Sequence, residues 1–156
     1  HDQLTGLLNR RTFDEQLHGE LLRADRNGEP FAVAMLDVDH FKSYNDQFGH
    51  PAGDEALRIV AGVIRDTLRS ADVAARFGGE EFAILLPQTH QNEAAMIAER
   101  IRANVAATTF PCREVTISVG VATCTDELCT TEGIVLAADK ALYAAKHAGR
   151  NRVVKA

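Results

Sequence analysis

No apolar run in this chain approaches the roughly 20 residues that span a bilayer, and its opening residues carry no secretory-signal pattern. Positive charge is in deficit: 17 Lys and Arg face 22 Asp and Glu, a net −5 that argues against a nucleic-acid coat. Cysteine is scarce. Cys112, Cys124 and Cys129 are odd in number and lack CxxC spacing. They read as free thiols of a reducing cytoplasm, not a disulfide framework or a zinc site, so a cytoplasmic domain is expected. No GxxxxGK[ST] is present, so phosphates are not held by a P-loop. No Ser/His/Asp or Cys/His set stands out, and there is no repeat, low-complexity segment or internal linker. What remains is ordinary globular usage, 46% apolar and 25% charged over 156 residues, enough for one domain spanning residues 1–156.

Periodicity orders the elements. Asn9 is a good N-cap for a helix to about Arg26, with Phe13, Leu17, Leu21 and Leu22 near helical spacing, and "NGEP" at residues 27–30 breaks it. "FAVAMLDVD" is nearly continuous in apolar residues and predicts a central strand covered on both faces. A short helix from Phe41 is closed by Gly49, and a longer one starts near Gly53 and carries Leu57, Val60, Ala61, Ile64 and Leu68. "DVAARF-GGEE-FAILLP" predicts a hairpin with a glycine turn. A helix over residues 93–105 follows. "EVTISVGVAT" alternates as a strand should, "LAADKALYAAKHAG" is a helix ended by Gly149, and "NRVVKA" predicts a last edge strand. The order βααββαβαβ after a leading helix favours an α+β sandwich over a doubly wound parallel sheet.

Acidic residues cluster at three strand or turn ends: Asp37/Asp39, Asp54/Glu55 and Glu80/Glu81. Extended neighbours such as Glu80 and Glu81 point to opposite faces, whereas Asp37 and Asp39 can share one. Convergence of Asp37 with a glutamate would raise a pKa unless a hard divalent cation intervened, and Mg²⁺ characteristically takes one or two carboxylates plus substrate phosphates. From spacing alone, the clusters read equally well as solvated turn residues.

Five stretches decide between these readings. "LTGLLNR" (4–10), "DVDHFKSYND" (37–46), "FGHPAGDEAL" (48–57), "RFGGEEF" (76–82) and "ADKALYAAKHAGRN" (138–151) together resemble the GGDEF family of diguanylate cyclases, in the expected order and over nearly the whole chain. The resemblance implies a nucleotidyl-cyclase-like sandwich with a ferredoxin-like βααββαβ core and a mainly antiparallel sheet. It implies condensation of two GTP into cyclic di-GMP and two pyrophosphates. Asp37, the backbone carbonyl of Val38, and Glu80 match the metal ligands, with two Mg²⁺ (or Mn²⁺) ions per active half-site. Glu81 belongs to the signature as metal ligand or proton acceptor. Asn45 and Asp54 match the guanine-reading positions. His40, Phe41, Lys42, Lys146 and Arg150 match the phosphate contacts, although Lys146 and Arg150 could each merely complement a helix C-terminus. "RSAD" (69–72) fits the RxxD inhibitory product site through Arg69 and Asp72, to which Arg100 could add a second arginine. The bland reading of that pair is a surface i,i+3 ion pair.

A two-fold symmetric product with two phosphodiester bonds implies a homodimer in which each subunit presents one GTP to the other. The chain is expected to be part of a longer protein with an upstream sensory or receiver domain. The competing reading is a silent module that binds GTP or cyclic di-GMP without turnover. His50 is expected as a hydrogen-bonder in a loop, His147 as a helix-end residue, and Tyr143 as a packing residue on the face of Leu136.

Overall fold

The computed structural model describes residues 1–125 and 129–156. In chain order the elements are α1 (Arg10–Asn27), β1 (Phe31–Val38), α2 (Phe41–Phe48), α3 (His50–Thr67), β2 (Val73–Arg76), β3 (Glu81–Leu86), α4 (Gln91–Ala107), β4 (Ile117–Cys124), α5 (Thr131–His147) and β5 (Val153–Lys155). They form the expected α+β arrangement around one five-stranded sheet, ordered β2-β3-β1-β4-β5. Every pairing is antiparallel except the edge pair β4–β5.

Local chemistry sets most boundaries. The Asn9 side chain accepts from Thr12 N at 2.9 Å, and Gly28, at φ 68°, ends α1 in the left-handed conformation. Gly49, at φ 88°, both closes α2 and caps α3, so the two helices abut at one residue. Helix α3 starts at His50, three residues before the position read from Gly53. Pro51 pre-sets helical φ there, so the first turn forms ahead of the glycine and His50 belongs to the helix, not to a loop.

All eight residues of β1 are buried. Alternate side chains divide between two cores. Ala32, Ala34, Leu36 and Val38 pack with α3 and α4, while Phe31, Val33 and Met35 pack with α1 and α5. Strand β4, expected from its alternation, is buried almost throughout as well. Its small or polar positions Ser118, Gly120 and Ala122 lie under α5 and beside Asp39, not in water.

Two further expectations are corrected. Cys124 and Cys129 form a disulfide, with Cα atoms 5.7 Å apart, because the end of β4 and the approach to α5 meet there; Cys112 is the free thiol among the described residues. Tyr143 and Leu136 do share a face of α5, but it is the outer one: they are 65% and 55% exposed, and Tyr143 stacks on His147 at 4.0 Å. The core-facing positions of that helix are taken by Ile134, Ala138, Leu142 and Ala145.

Candidate active site

The end of β1 carries Asp37 next to the start of β3. Asp37 pairs in register with Glu81, so their side chains share the α1/α5 face of the sheet. The Val38 amide donates to the Glu80 carbonyl at 3.2 Å, bringing the turn that holds Glu80 against the strand end. From α5, Lys146 Nζ donates to Asp37 Oδ2 at 2.7 Å. Asp37 is only 5% exposed.

These neighbours perturb one another. Burial pushes the Asp37 carboxyl above the ordinary carboxylate range against the pull of Lys146, while Glu81 and Asp39 push the same way as burial. Burial and then the charge of Asp37 raise Glu80, with Lys146 again opposing. Two carboxyls that resist ionisation beside one lysine form an electrostatic conflict that a further cation would relieve.

The turn itself has an external brace. Arg76 donates to the carbonyls of Gly78 (3.1 Å) and Gly79 (2.8 Å), and its other side meets Asp2 at 3.3 Å. Residues 2–8 are fastened alongside: Leu8 forms a parallel bridge with Ala75, and Asp2 accepts from the amide and hydroxyl of Thr5. Neither Gly78 nor Gly79 has positive φ, and a Cβ on Gly79 would meet nothing within 4 Å. The fold does not itself demand glycine there.

On the other side of the strand end, His40 takes the left-handed conformation at φ 56° and caps α2. Phe41 is buried in the α3/α4 core, while Lys42 is exposed on the first turn. Asn45 Oδ1 is buried without a hydrogen-bond partner, tight against Gly53, where an added Cβ would lie 1.7 Å from it. Asp54 follows at once and is exposed. Arg150, at φ 65°, sits in the turn that closes α5, exposed and one helical turn beyond Lys146. The structure therefore gathers Asp37, Glu80, Glu81 and Lys146, and sets His40 at the N-cap of α2 and Phe41, Lys42 and Asn45 on that helix, which begins three residues after β1 ends.

The RSAD stretch lies elsewhere, at the end of α3. Arg69 meets Asp72 with two nitrogens (2.7 and 3.0 Å), Glu93 of α4 at 2.8 Å and the Thr89 hydroxyl at 2.8 Å. The Asp72 side chain is fully enclosed while Arg69 is 41% exposed, so the pair is more built than a surface i,i+3 bridge. Arg100 is exposed on α4, seven residues after Glu93 and so on the same side of that helix.

Several neighbours of the site had no site role assigned from the sequence. Arg113 braces α2 by donating to the His40 carbonyl (3.2 Å) and to Gln47 (3.1 Å), and lies over the Tyr44 ring. Arg10, stacked 4.5 Å over Phe77, lines a cavity of about 270 Å³ with Glu81, Asp139, Tyr143 and Lys146. Burial raises the Asp139 carboxyl, opposed by Arg10 and Lys146.

Comparison with known proteins gives consistent matches. Residues 1–152 match the family described as "Diguanylate cyclase, GGDEF domain". The chain is 46% identical to diguanylate cyclase DgcP of Pseudomonas aeruginosa (97% of this chain, 23% of that protein) and 44% identical to response regulator PleD of Caulobacter vibrioides (98% and 35%). It thus spans about a quarter and about a third of those relatives. Among solved structures, the GGDEF domain of DgcB from Caulobacter crescentus, in complex with c-di-GMP, superposes with a TM-score of 0.94 at 38% identity, covering 99% of this chain and 91% of that one. The active GGEEF domain of a diguanylate cyclase from Vibrio cholerae gives 0.92 at 35%, covering 96% and 97%.

Proposed function

The chain belongs to the GGDEF family, and from that premise we propose that it condenses two GTP into cyclic di-GMP and two pyrophosphates, each subunit of a homodimer presenting one nucleotide to the other. The observation that carries this reading is the meeting of Asp37, Glu80 and Lys146 at one end of the β1–β3 pair. Each 3′-hydroxyl attacks the α-phosphorus of the opposite nucleotide and expels pyrophosphate. One chain offers one such cluster and the product needs two bonds, so the rate should rise steeply with protein concentration until the dimer saturates.

The donor set suits Mg²⁺ or Mn²⁺. Among the described residues no three His, Cys, Asp or Glu side chains close on one point, so a cation here relies on few carboxylates, main-chain oxygen and substrate phosphate. Asp37, the Val38 carbonyl and Glu80 would hold it, two ions per half-site being the expectation. When bound, such ions lower the pKa of the attacking hydroxyl and offset charge on the departing pyrophosphate. Lys146 neutralises part of the same charge. Lys42, the first-turn amides of α2 at His40 and Phe41, and Arg150 hold the remaining phosphate oxygens. Gly78 and Gly79 leave the turn bare where the nucleotide approaches, which accounts for glycine at positions the fold itself leaves open. Glu81 serves as metal ligand or as acceptor of the hydroxyl proton.

Base selection falls to Asn45 and Asp54. A carboxylate accepts from guanine N1–H and N2–H₂, an edge on which adenine offers no matching pair of donors. Asp54→Ala is expected to cut the preference for GTP over ATP about 10- to 100-fold, the worth of a charge-assisted hydrogen bond. An unchanged preference removes Asp54 from base recognition.

Product restrains the domain at Arg69 and Asp72, where the arginine can meet guanine O6 and N7 and the carboxylate its Watson–Crick edge. Binding there requires Arg69 to release Glu93, Thr89 and the enclosed Asp72 carboxylate, so that both side chains turn to the guanine. Arg69→Ala is expected to raise the inhibition constant for cyclic di-GMP about tenfold or more; equal constants in mutant and parent refute the brake. Incubation with GTP and Mg²⁺, with chromatographic detection of cyclic di-GMP across a range of protein concentrations, tests the whole reading. GTP binding without product makes the chain a silent module instead.

A further inference from the structure

Asp39 is a buried acid that the reaction does not use. It follows β1 directly, is 8% exposed, and receives three hydrogen bonds from distant parts of the chain. The Ser118 hydroxyl donates to Oδ1 at 2.6 Å. The Thr116 hydroxyl (2.7 Å) and the Asn151 amide (3.0 Å) both donate to Oδ2. Its own amide donates to the Thr116 carbonyl at 2.9 Å. The carboxylate therefore joins the end of β1, the start of β4 and the turn closing α5.

That turn is unusual. Arg150 and Asn151 are consecutive non-glycine residues at φ 65° and 47°, a left-handed conformation that disfavours arginine and that asparagine tolerates better. The Asp39–Asn151 bond holds the second of them, while the Arg150 amide reaches back to the Ala145 carbonyl at 3.0 Å. Asp37 meanwhile holds the same helix end one turn earlier, through Lys146. Two acids on one strand end thus grip α5 at two points, one by side chain and one by main chain.

We propose that Asp39 is a positioning residue that keeps the Arg150–Asn151 turn left-handed and thereby aims the Arg150 guanidinium at the nucleotide triphosphate. This rests on the reading of Arg150 as a phosphate contact. Asparagine at 39 retains the shape and can turn its NH₂ toward the Ser118 hydroxyl, which then accepts, but it removes the charge that all three donors meet, so each remaining bond is weakened.

The test is a double-mutant cycle on GTP affinity, measured by titration with Mg²⁺ and a non-hydrolysable GTP analogue, with amide hydrogen exchange at Asn151 as a second readout. Asp39→Asn and Arg150→Ala are each expected to weaken binding about tenfold, and the double variant no further than either, since both remove one charge-assisted contact. Adding Asn151→Gly to Asp39→Asn restores the left-handed turn without the carboxylate and should recover most of the affinity. Thr116→Val, which leaves the carboxylate in place, gives a smaller loss in the same direction should Asp39→Asn not fold. Multiplying losses, parental affinity in Asp39→Asn or Arg150→Ala, or failure of Asn151→Gly to restore binding overturns the proposal. If the parent binds no nucleotide, the functional reading fails by itself. Asn151 exchange then decides the clamp: faster exchange in Asp39→Asn supports it and unchanged protection overturns it.

Discussion

Glu80→Gln is expected to lower cyclic di-GMP formation by about three orders of magnitude or more, the scale of losing a carboxylate that anchors a cation at the reacting centre. The substitution keeps the side chain's size and removes its charge. Its effect on the folded protein should run the other way. Burial and the neighbouring Asp37 both disfavour ionised Glu80, so the cation-free variant should melt no lower than the parent, and higher at neutral pH. The parent should gain stability on adding Mg²⁺, and the variant should lose most of that gain. Normal turnover in the variant would end the ligand role of Glu80.

The pH dependence follows from the same pair. Asp37 and Glu80 have pKa values raised in the folded chain, so the folded state holds these protons more tightly than the unfolded one. Their contribution to stability is full below the ordinary carboxylate values and is lost as pH rises through the raised ones. A bound cation acts in the opposite sense, because it needs both acids ionised. The increase in melting temperature given by Mg²⁺ should therefore grow with pH across that window. An increase independent of pH would place the ion elsewhere.

The largest loss of stability is expected from Gly120→Ala. Gly120 lies in β4, opposite Met35 of β1 and Val154 of β5. An added Cβ would stand 2.2 Å from the Ala138 carbonyl oxygen and the Leu142 nitrogen, and 2.8 Å from the Ala141 carbonyl carbon, all backbone of α5. Backbone cannot rotate away as a side chain tip can, so the helix must lift. Overpacking of this kind costs about 3 kcal/mol or more, which lowers the melting temperature by about 10 °C in a chain of this size. Because α5 carries Lys146 and the turn bearing Arg150, nucleotide binding should weaken as well. Thermal melting by circular dichroism checks the first effect; a parental melting temperature would mean that the helix does not rest on the strand.

These cases show which features a sequence makes legible. Strand β1 was readable because burial on both faces leaves an unbroken apolar run, and α1 because Asn9 and Gly28 act on their own backbone neighbourhood. Strand β4 was readable from the alternation of Thr116, Ser118 and Gly120 with larger apolar residues, but what covers its small positions was not. Those small positions accommodate Asp39 and α5, partners 18 to 79 residues away. Tyr143 misled because it shares a helical stripe with Leu136, and only packing decides which stripe faces inward. The acids of the candidate site were legible as strand-end residues. Their convergence was not, because Asp37 meets Lys146 across 109 positions. The same holds for Arg113, whose grip on α2 spans more than 60 residues.

The arginine before the glycine bend has a mechanical consequence. Arg76 clasps two carbonyls of that bend with one side of its guanidinium and is tethered by Asp2 with the other. Residues 2–8, joined to β2 at Leu8 and to the bend through the Asp2–Arg76 pair, therefore form a lever whose short arm ends at the bend. Torque applied to that arm would be delivered where Glu80 sits, through the Asp2–Arg76 pair as well as through Leu7, which is buried in the α3/α4 core.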